Sequence, residues 1–492
     1  MVDWEALKRE IADSIGIEKV KSDIVTLAAY SRDWSPRPAE ELILPHLVVR
    51  PESTEEVSEV VKICNKYGVP ITPVAGLTGM GGGAIPFYGG VIIDTKGMNK
   101  IIEVDTKNYT VTVQTGITIK ALNDELEKYG LWLPHDPESK PTSTVGAAIA
   151  CDNDSTFGIR WGKMIDHLLS AVIVTGTGDI VRVGYRKAYC SSSGLKLHSL
   201  LVGSEGTLGI ITEATLRVVP IPEYRWVDGA FFPSITSAVD AARKMLTAGL
   251  PIDAVNINDK YRLKFYTHAY RLKHGHDPEV PEGTEAILFY SLSGDRDVVM
   301  FSRDYARKIV ESYGGKIIRE RDIVESWWKS KHTLKFDPFK QKWPDSQREK
   351  KFGAADVGVP PGRLEELHKR FVETVEKYGL RILGMNIYNE RIGCISPSIS
   401  CAVFVGDSED EVRRFYDYVK EMSRIAVDLD GTSSTYIGDT WRLLDVMDYE
   451  HGKALEYMRR VKEIFDPKWI MNPGKKFRLP KEIEEKYRRM RG

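Results

Sequence analysis

The sequence predicts an α+β protein built from two domains. Up to residue 222, short strand-like runs alternate with short amphipathic helices, and from residue 223 the helices become longer and bracket fewer strands. The segment PIPEYRW, residues 220–226, interrupts the pattern with two prolines and indicates a boundary. We therefore expect an N-terminal domain over 1–222, a second domain over 223–442 and a C-terminal segment over 443–492.

Composition is typical of a globular protein that binds neither nucleic acid nor a membrane core. Of 492 residues, 42% are apolar and 28% charged, and 69 Lys and Arg nearly balance 70 Asp and Glu. No apolar run approaches the roughly 18 residues of a membrane span, and the start MVDWEALKREIADSIG lacks the apolar core of a signal peptide. Five cysteines without a C-x-x-C pair argue against a disulfide framework, a zinc ribbon or an iron–sulfur cluster. A cytoplasmic location is expected.

Two helices are predicted in the first domain. Residues 53–68 begin at Ser53, with Glu56 placed for a capping box, and stop at Gly68. Residues 118–130 form the second helix and stop at Gly130. Both carry an apolar stripe at helical spacing, formed by Val57, Val60, Val61 and Cys64 in the first helix and by Ile119, Leu122, Leu126 and Tyr129 in the second.

The remaining elements follow from alternation and apolar runs. In the first domain, strands are predicted at VPITPV (69–74), GGVIIDT (89–95), a hairpin KIIEVDTKNYTVTVQTG (100–116), SAVIVTG (170–176), DIVRVG (179–184) and GIITEATLRVVPIP (209–222). In the second domain, helices are predicted at 234–246, 298–315, 363–379 and 410–424, with strands at 286–294, 382–388 and 401–405. One last amphipathic helix ends at Asp466-Pro467.

The glycine-rich stretch PVAGLTGMGGGAIPFYGG, residues 73–90, contains GMGGGA, a formal match to the dinucleotide motif G-x-G-x-x-G/A. A Rossmann turn must open a helix, whereas Pro86 and the following strand prevent one here. Two interpretations remain: a strand–loop–strand nest whose backbone amides bind an anion, or a plain glycine-rich hairpin.

Two further segments place small and polar residues where a ligand could approach the backbone: LPHDPESKPTSTVGAAIACDNDS (133–155) and LLVGSEGTLGIITEATLRVVPIP (200–222). Together with 45–84, DTKGMNKIIEVD (94–105), VGVPPGRLEEL (357–367) and IFDPKWIMNPGKKF (464–477), they resemble the flavoprotein family of vanillyl-alcohol oxidase and p-cresol methylhydroxylase. The most similar branch contains the glycolate oxidase subunit, D-lactate dehydrogenase and alkylglycerone-phosphate synthase.

This resemblance implies a two-part FAD-binding domain of the p-cresol methylhydroxylase type over 1–222, with an N-terminal arm at 1–41. It also implies an α+β substrate cap domain over 223–442, while 443–492 completes the FAD site. The expected FAD-binding residues are Val74, Ala75, Gly76, Leu77, Thr78, Gly79, Met80, Glu138, Ser139, Pro141, Thr142, Ser143, Thr144, Cys151, Asp152, Asn153, Asp154, Glu205, Gly206, Thr207, Gly209, Ile210, Ile211, Asn472 and Lys475. Non-covalent FAD is expected because the loop has no His or Cys, although His135 and Cys151 leave covalent attachment open.

The resemblance weakens on the substrate side. Hydroxy-acid oxidising relatives carry G-H-x-G-D-G-N-x-H and G-x-x-S-G-E-H-G, which supply divalent-metal ligands and a base. This chain has RIGCISPSISCAVFV (391–405), with Gly393 and Ser400 at the histidine positions, and DGTSSTYIGD (430–439), with Tyr436 and Ile437 in place of Glu-His. No metal site is therefore expected.

Other polar residues must then serve the substrate. Lys331 occupies the place of an arginine that grips the substrate carboxylate in relatives, although a solvated lysine is the alternative. His332 is a candidate base, with a structural histidine as the alternative. Tyr388 and Tyr436 are candidate catalytic residues that resemble the phenol-binding tyrosines of the aromatic-alcohol branch, unless both simply pack in the core. Arg391 and Arg442 are further candidates for binding the substrate.

The sequence thus predicts an FAD-dependent oxidoreductase that oxidises a hydroxylated small molecule, such as the 2-hydroxy acids D-lactate or glycolate, by hydride transfer to flavin N5. The alternatives are an oxidase of aromatic or other alcohols that uses Tyr388 and Tyr436, and a flavin-binding partner subunit without catalysis. The expected partners are the alcohol or hydroxy acid, an unidentified electron acceptor, and a second copy or an electron-transfer subunit. The charged C-terminal segment KEIEEKYRRMRG adds the alternative of peripheral membrane docking.

Overall fold

The computed structural model describes residues 2–38, 41–331 and 351–491. Within these residues, the chain starts with a four-stranded sheet of order β1-β2-β4-β3, in which β2, β4 and β3 run parallel and β1 pairs antiparallel with β2. Its elements are α1 (Trp4–Ile15), β1 (Val20–Lys21), α2 (Ile24–Ala29), β2 (Leu47–Val49), α3 (Thr54–Tyr67), β3 (Ile71–Val74) and β4 (Val91–Asp94).

The next part of the chain, as far as it is described, forms a five-stranded antiparallel sheet of order β5-β6-β10-β8-β9 and a small β11-β7 pair. Helix α5 packs on this sheet and opens directly after the predicted polar turn. The elements are β5 (Ile101–Asp105), β6 (Thr110–Gln114), α4 (Ile119–Leu126), β7 (Leu131–Trp132), α5 (Val145–Cys151), α6 (Gly158–Trp161), α7 (Met164–His167), β8 (Leu168–Val174), β9 (Ile180–Gly184), β10 (Ile210–Arg217) and β11 (Val219–Pro220).

After residue 223 the described chain builds a seven-stranded antiparallel sheet of order β15-β12-β14-β13-β17-β18-β16. Its core is the largest hydrophobic cluster and includes the buried faces of α8, α12 and α13. The elements are β12 (Tyr224–Phe232), α8 (Ile235–Thr247), β13 (Ile252–Asp259), α9 (Lys260–His274), β14 (Ala286–Gly294), α10 (Arg296–Ser312), β15 (Lys316–Ile317), α11 (Arg321–Ser330), β16 (Lys351–Gly358), α12 (Leu364–Lys377), β17 (Arg381–Arg391), β18 (Cys394–Val405) and α13 (Glu409–Asp428).

The C-terminal segment returns to the first sheet. It contains α14 (Leu444–His451), α15 (Ala454–Phe465) and α16 (Lys481–Arg491). Between α15 and α16, Met471 forms a parallel bridge with Ile71 of β3, and the Asn472 amide donates to the Ile71 carbonyl over 2.8 Å. Residues beyond 466 therefore complete the wall behind the glycine loop.

The predicted helix after Ser53 is present, and the Ser53 hydroxyl accepts from the Glu56 amide. In a capping box the Glu56 carboxylate would accept a hydrogen bond from the Ser53 amide. Here it accepts from the Glu52 amide instead. In the second helix the apolar stripe ends at Leu126, one turn before the predicted Tyr129. A 3₁₀ turn follows Leu126, so Tyr129 leaves the buried face and is 50% exposed.

Several elements were not predicted, among them β12, β13, β16 and α9. Helix α9 has the sequence KYRLKFYTHAYRLKH, in which basic residues interrupt any apolar stripe. Its N-terminus is fixed instead by Asp259, whose carboxylate accepts from the Arg262 amide over 2.9 Å.

Candidate active site

A cavity with about 1530 Å³ of empty space, its open mouth included, lies where the two sheets of the N-terminal part meet the seven-stranded sheet. The N-terminal part supplies the glycine loop and the segments around Glu138, α5 and Glu205. The seven-stranded sheet, α9 and the loop after α13 supply the other wall, formed by Arg262, Phe352, Ala354, Tyr388, Ser400, Tyr436, Ile437 and Thr440.

Most residues expected to bind FAD lie on this cavity. They are Val74, Ala75, Gly76, Leu77, Thr78, Gly79, Met80, Glu138, Ser139, Ser143, Cys151, Asn153, Asp154, Glu205, Gly206, Gly209, Ile210 and Ile211. The other expected residues are not among its lining residues: Pro141, Thr142, Thr144, Asp152, Thr207, Asn472 and Lys475. Of these, Thr144 caps α5, since its hydroxyl accepts from the Ala147 amide.

The glycine loop forms a cradle that side chains would fill. A Cβ at Gly76 would lie 2.4 Å from the Thr142 carbonyl oxygen, and Leu77 has a left-handed backbone with φ of 55°. In the described residues, we find no protein acceptor for the amides of residues 77–80. A run of consecutive unpaired amides suits an anion such as a pyrophosphate. The cradle therefore fits the phosphates of a dinucleotide, with strands on both sides as the position of Pro86 predicts.

The C-terminal segment holds this loop from behind. The Lys475 ammonium donates to the carbonyls of Gly83 over 3.3 Å and Ile85 over 2.8 Å. The side-chain amide of Asn472 donates to the carbonyls of Gly83 and Glu205. Burial lowers the pKa of Lys475 to about 7, against the opposing charges of Asp33 and Glu205. Both residues support the cradle from a position where they do not line the cavity.

Glu205 joins the first domain to the loop that follows α13. Its backbone is left-handed, with φ of 52°, and one carboxylate oxygen accepts from the amides of Asp439 and Thr440 and from the Lys476 ammonium. Burial and the charge of Asp439 raise the Glu205 pKa, although Lys476 opposes this. The other carboxylate oxygen is buried without a protein partner among the described residues, and it would lie 3.8 Å from a Cβ placed on Gly83.

Tyr388 and Tyr436 meet in the cavity. Their ring centroids are 6.1 Å apart and their planes are inclined by 79°, an edge-to-face contact. The Tyr388 hydroxyl donates a short hydrogen bond to the Glu138 carboxylate, which comes from the opposite domain. Burial first, and then the negative charges of Glu138 and Asp154, raise the pKa of Tyr388 well above its usual value.

Asp356 on β16 fixes the loop that carries Tyr436. One of its carboxylate oxygens accepts from the Ser434 hydroxyl over 2.9 Å and from the amides of Tyr436 and Ile437 over 3.2 and 2.7 Å. The other forms a short ion pair with Arg442, and both side chains are 1% exposed. The position of the Tyr436 ring therefore depends on a fully buried ion pair.

Arg262, in the first turn of α9, brings a cation to the cavity that the sequence analysis did not identify. Among the described residues no carboxylate lies within 4.0 Å of its guanidinium. Burial lowers its pKa, but the nearby Tyr388, Tyr266 and Glu138 outweigh this effect and raise it. Arg262 is therefore a charged guanidinium in a recessed site without a close anionic partner in the described chain.

Lys331, Arg391 and Arg442, which were expected to bind the substrate, are not among the residues that line the cavity. Lys331 forms a 2.9 Å ion pair with the buried Asp136 and contacts the Trp328 ring. Arg391, at the end of β17, points to solvent. Arg442 forms a buried ion pair with Asp356. His332 lies outside the described residues.

The two residues that left covalent attachment open have different positions. His135 is fully buried, and its Nε2 lies 2.8 Å from the Asn153 side-chain oxygen. Burial lowers its pKa to about 4. Cys151 does line the cavity, but burial raises its thiol pKa to about 12, so the thiolate form that attacks an electrophile is scarce.

Beside the tyrosines lies a buried cluster of one lysine and several carboxylates. Lys163 contacts Glu390 over 3.1 Å and Asp152 over 3.4 Å, and it donates to the Thr435 carbonyl. Burial, together with the charges of Glu390 and Glu138, raises the Asp154 pKa well above its usual value. Asp154 therefore tends to keep its proton although it lines the cavity. We find no cluster of His, Cys, Asp or Glu suited to a metal ion in 2–38, 41–331 or 351–491.

Comparison with known proteins identifies the class. A model described as an FAD binding domain matches residues 45–184, and one for the C-terminal domain of FAD linked oxidases matches residues 221–476. The protein is thus an FAD-dependent oxidoreductase, and the cradle described above fits its cofactor. The chain belongs to the FAD-linked oxidase family.

Individual relatives cover most of the chain. A probable mitochondrial D-lactate dehydrogenase from Danio rerio is 30% identical, with 88% of this chain and 85% of that protein aligned. A D-lactate dehydrogenase from Archaeoglobus fulgidus is also 30% identical, over 90% and 92%. The structure of p-cresol methylhydroxylase with substrate bound superimposes with a TM-score of 0.75 at 18% identity, covering 96% of each chain, which shows the same fold. None of the described helices is long and apolar enough to cross a membrane.

Proposed function

We propose that the protein oxidises a 2-hydroxy acid, such as D-lactate or glycolate, to the 2-oxo acid. The observation that carries this proposal is the position of Arg262. Its guanidinium lies on the cavity wall, and no carboxylate of the described chain lies within 4.0 Å of it. A guanidinium binds a carboxylate through a planar pair of hydrogen bonds, and a substrate carboxylate would supply the missing counter-charge. Relatives named as D-lactate dehydrogenases, those from Danio rerio and Archaeoglobus fulgidus among them, support the same substrate class.

When bound, FAD accepts the hydride from the CH–OH carbon. The residues of this chain would bind and orient the substrate: Arg262 would hold its carboxylate, while Tyr388 and Tyr436 would contact its 2-hydroxyl. The metal ligands of hydroxy-acid relatives are replaced here by Gly393, Ser400, Tyr436 and Ile437. In our proposal, Arg262 and the tyrosines take over the orienting role of that metal.

A second candidate is oxidation of an aromatic alcohol. It is favoured by the edge-to-face pair of Tyr388 and Tyr436, whose hydroxyls could bind a phenol, and by the fold shared with p-cresol methylhydroxylase. A phenolic substrate would leave the charge of Arg262 without a close anion, which is why we prefer the hydroxy acid. The third candidate is a flavin-binding subunit that is reduced only within a complex.

Anaerobic reduction of the purified flavoprotein tests the proposal. Bleaching of the flavin absorbance is followed with D-lactate, L-lactate and glycolate, with lactamide as the uncharged analogue, and with 4-hydroxybenzyl alcohol. Reduction by a hydroxy acid but not by lactamide supports the proposal, whereas reduction by the aromatic alcohol alone favours the second candidate. A flavin that none of them reduces until a partner protein is added would favour the third.

A further inference from the structure

A hydrogen bond connects the two domains inside the cavity. Glu138 comes from the polar turn before α5, and Tyr388 comes from the middle of β17, next to Asn256 of β13. The phenol of Tyr388 donates to the Glu138 carboxylate, and both residues line the cavity. A carboxylate that a proton can reach through a phenol therefore lines the cavity.

We propose that Glu138 is the final acceptor of the substrate hydroxyl proton and that Tyr388 relays it. This inference rests on the proposed oxidation of a CH–OH group. The C–H bond would break with its electron pair leaving as hydride, for which bound FAD would be the acceptor, and the C–O bond would become a carbonyl. The hydroxyl proton moves to the Tyr388 oxygen while the phenolic proton of Tyr388 moves to the Glu138 carboxylate. Tyr388 ends unchanged, and Glu138 ends protonated.

The electrostatics explain why Tyr388 acts as a relay and not as a phenolate base. Burial and the charges of Glu138 and Asp154 raise its pKa well above its usual value, so it remains a phenol at neutral pH. A phenol that already donates to a carboxylate can accept a second proton at its oxygen as it releases the first. Relay through the hydrogen bond therefore avoids a buried phenolate.

The surroundings also distinguish Glu138 from the neighbouring carboxyl group. Asp154 is buried and lies beside other carboxylates, and its pKa is raised well above the usual value, so it tends to be protonated already. Glu138 instead accepts the hydrogen bond of the Tyr388 hydroxyl. The other ionisable groups facing the pair are Arg262, Tyr266 and Tyr436.

Glu138→Gln and Tyr388→Phe test the relay. A matched pair outside the cavity is available, because the Tyr378 hydroxyl donates to the Glu421 carboxylate over 2.7 Å on the surface, so Glu421→Gln and Tyr378→Phe are the controls. The FAD-loaded proteins are mixed anaerobically with the alcohol that reduces the wild-type flavin fastest, whether a hydroxy acid or an aromatic alcohol. Dithionite reduction and FAD content show whether each flavin site is intact.

We expect Glu138→Gln to retain FAD and to lower the reduction rate constant by about 10²- to 10⁴-fold, the usual contribution of a general base. The pH profile of the reduction rate in this variant should differ from that of the wild-type protein. Tyr388→Phe should be similarly slow, and the double variant no slower than Glu138→Gln, because the two act in series. Infrared difference spectra of wild-type protein reduced by substrate should show a new protonated carboxyl band that Glu138→Gln lacks.

The relay is overturned if Glu138→Gln keeps its FAD and is reduced within about tenfold of the wild-type rate with the same pH profile. Rejection of hydroxy acids in favour of an aromatic alcohol would overturn the proposed substrate while the same variants still decide the relay. If no alcohol reduces the wild-type flavin, with or without a partner protein, the relay fails together with the proposed oxidation.

Discussion

Replacing Arg262 with methionine separates charge recognition from the rest of the site. Methionine keeps an unbranched, flexible side chain, while the guanidinium that we propose as carboxylate anchor is removed. Arg262 sits on the cavity wall without a carboxylate within 4.0 Å in the described residues, so its removal leaves no protein anion unpaired at that distance. The change should therefore act on substrate binding more than on stability.

The magnitude follows from the electrostatics of one contact. A guanidinium and a carboxylate about 4 Å apart at an effective dielectric constant of about 20 attract each other by about 4 kcal/mol. Since about 1.4 kcal/mol is a factor of ten, Arg262→Met should raise the Kd for D-lactate or glycolate by about a thousandfold. Arg262→Lys keeps the charge but loses the planar fork, so its effect should be nearer tenfold.

Stopped-flow reduction under anaerobic conditions measures this, because the dependence of the rate on substrate concentration separates Kd from the limiting rate constant. Lactamide serves as the matched neutral analogue, and its Kd, measured as a competitive inhibitor of that reduction, should hardly change. Arg391→Met is the control variant, since Arg391 is an exposed arginine of the same domain. The reasoning is refuted if Arg262→Met binds the hydroxy acid normally, or if binding of the neutral analogue weakens equally.

Three further variants test the structure around the site. Gly76→Ala places a Cβ 2.4 Å from a backbone carbonyl oxygen and should weaken FAD retention at least about tenfold, measured by flavin content after dialysis, whereas Gly362→Ala, with no atom within 4 Å, should not. Lys475 has a folded pKa of about 7 in place of 10.5, so the unfolded chain binds more protons between these values and stability should rise with pH there, by up to about 1.4 kcal/mol per pH unit. Lys475→Met should lack this rise in urea titrations at pH 7 to 10, and an identical slope would contradict the assignment. Asp356→Asn leaves a buried arginine without its counter-charge and should cost about 3–5 kcal/mol in unfolding free energy, and an unchanged urea midpoint would disprove that view of the pair.

Local sequence signals predicted the parts of the fold that depend on neighbouring residues. Ser53 and Gly68 delimit α3 because a cap and a left-handed glycine act within one turn. Pro86 excluded a helix after the glycine loop for an equally local reason, and the loop joins two parallel strands as a result. Tyr129 shows the limit of such signals. A single 3₁₀ turn over Glu127–Tyr129 is enough to move its side chain away from the apolar face of the helix.

The residues on the substrate side of the cavity are brought together by contacts between distant segments. Local sequence patterns therefore did not predict which of them would line it. Arg262 lies in a stretch so rich in basic residues that no single one stands out, and only the geometry of β13 and α9 turns it toward the cavity. Lys331 and Arg442 were reasonable anchors by type, but Asp136 and Asp356, 195 and 86 positions away, pair with them. A spacing that is informative within an element does not predict which buried charge finds which partner across a sheet.

The attachment of the glycine loop to Lys475 has a consequence for biosynthesis. The ammonium and the Ile85 carbonyl that it binds are 390 positions apart, so most of the chain must leave the ribosome before the loop gains this support. We expect nascent chains to acquire FAD only once the segment around residue 475 has emerged, so that tight cofactor binding would distinguish finished molecules from prematurely terminated ones.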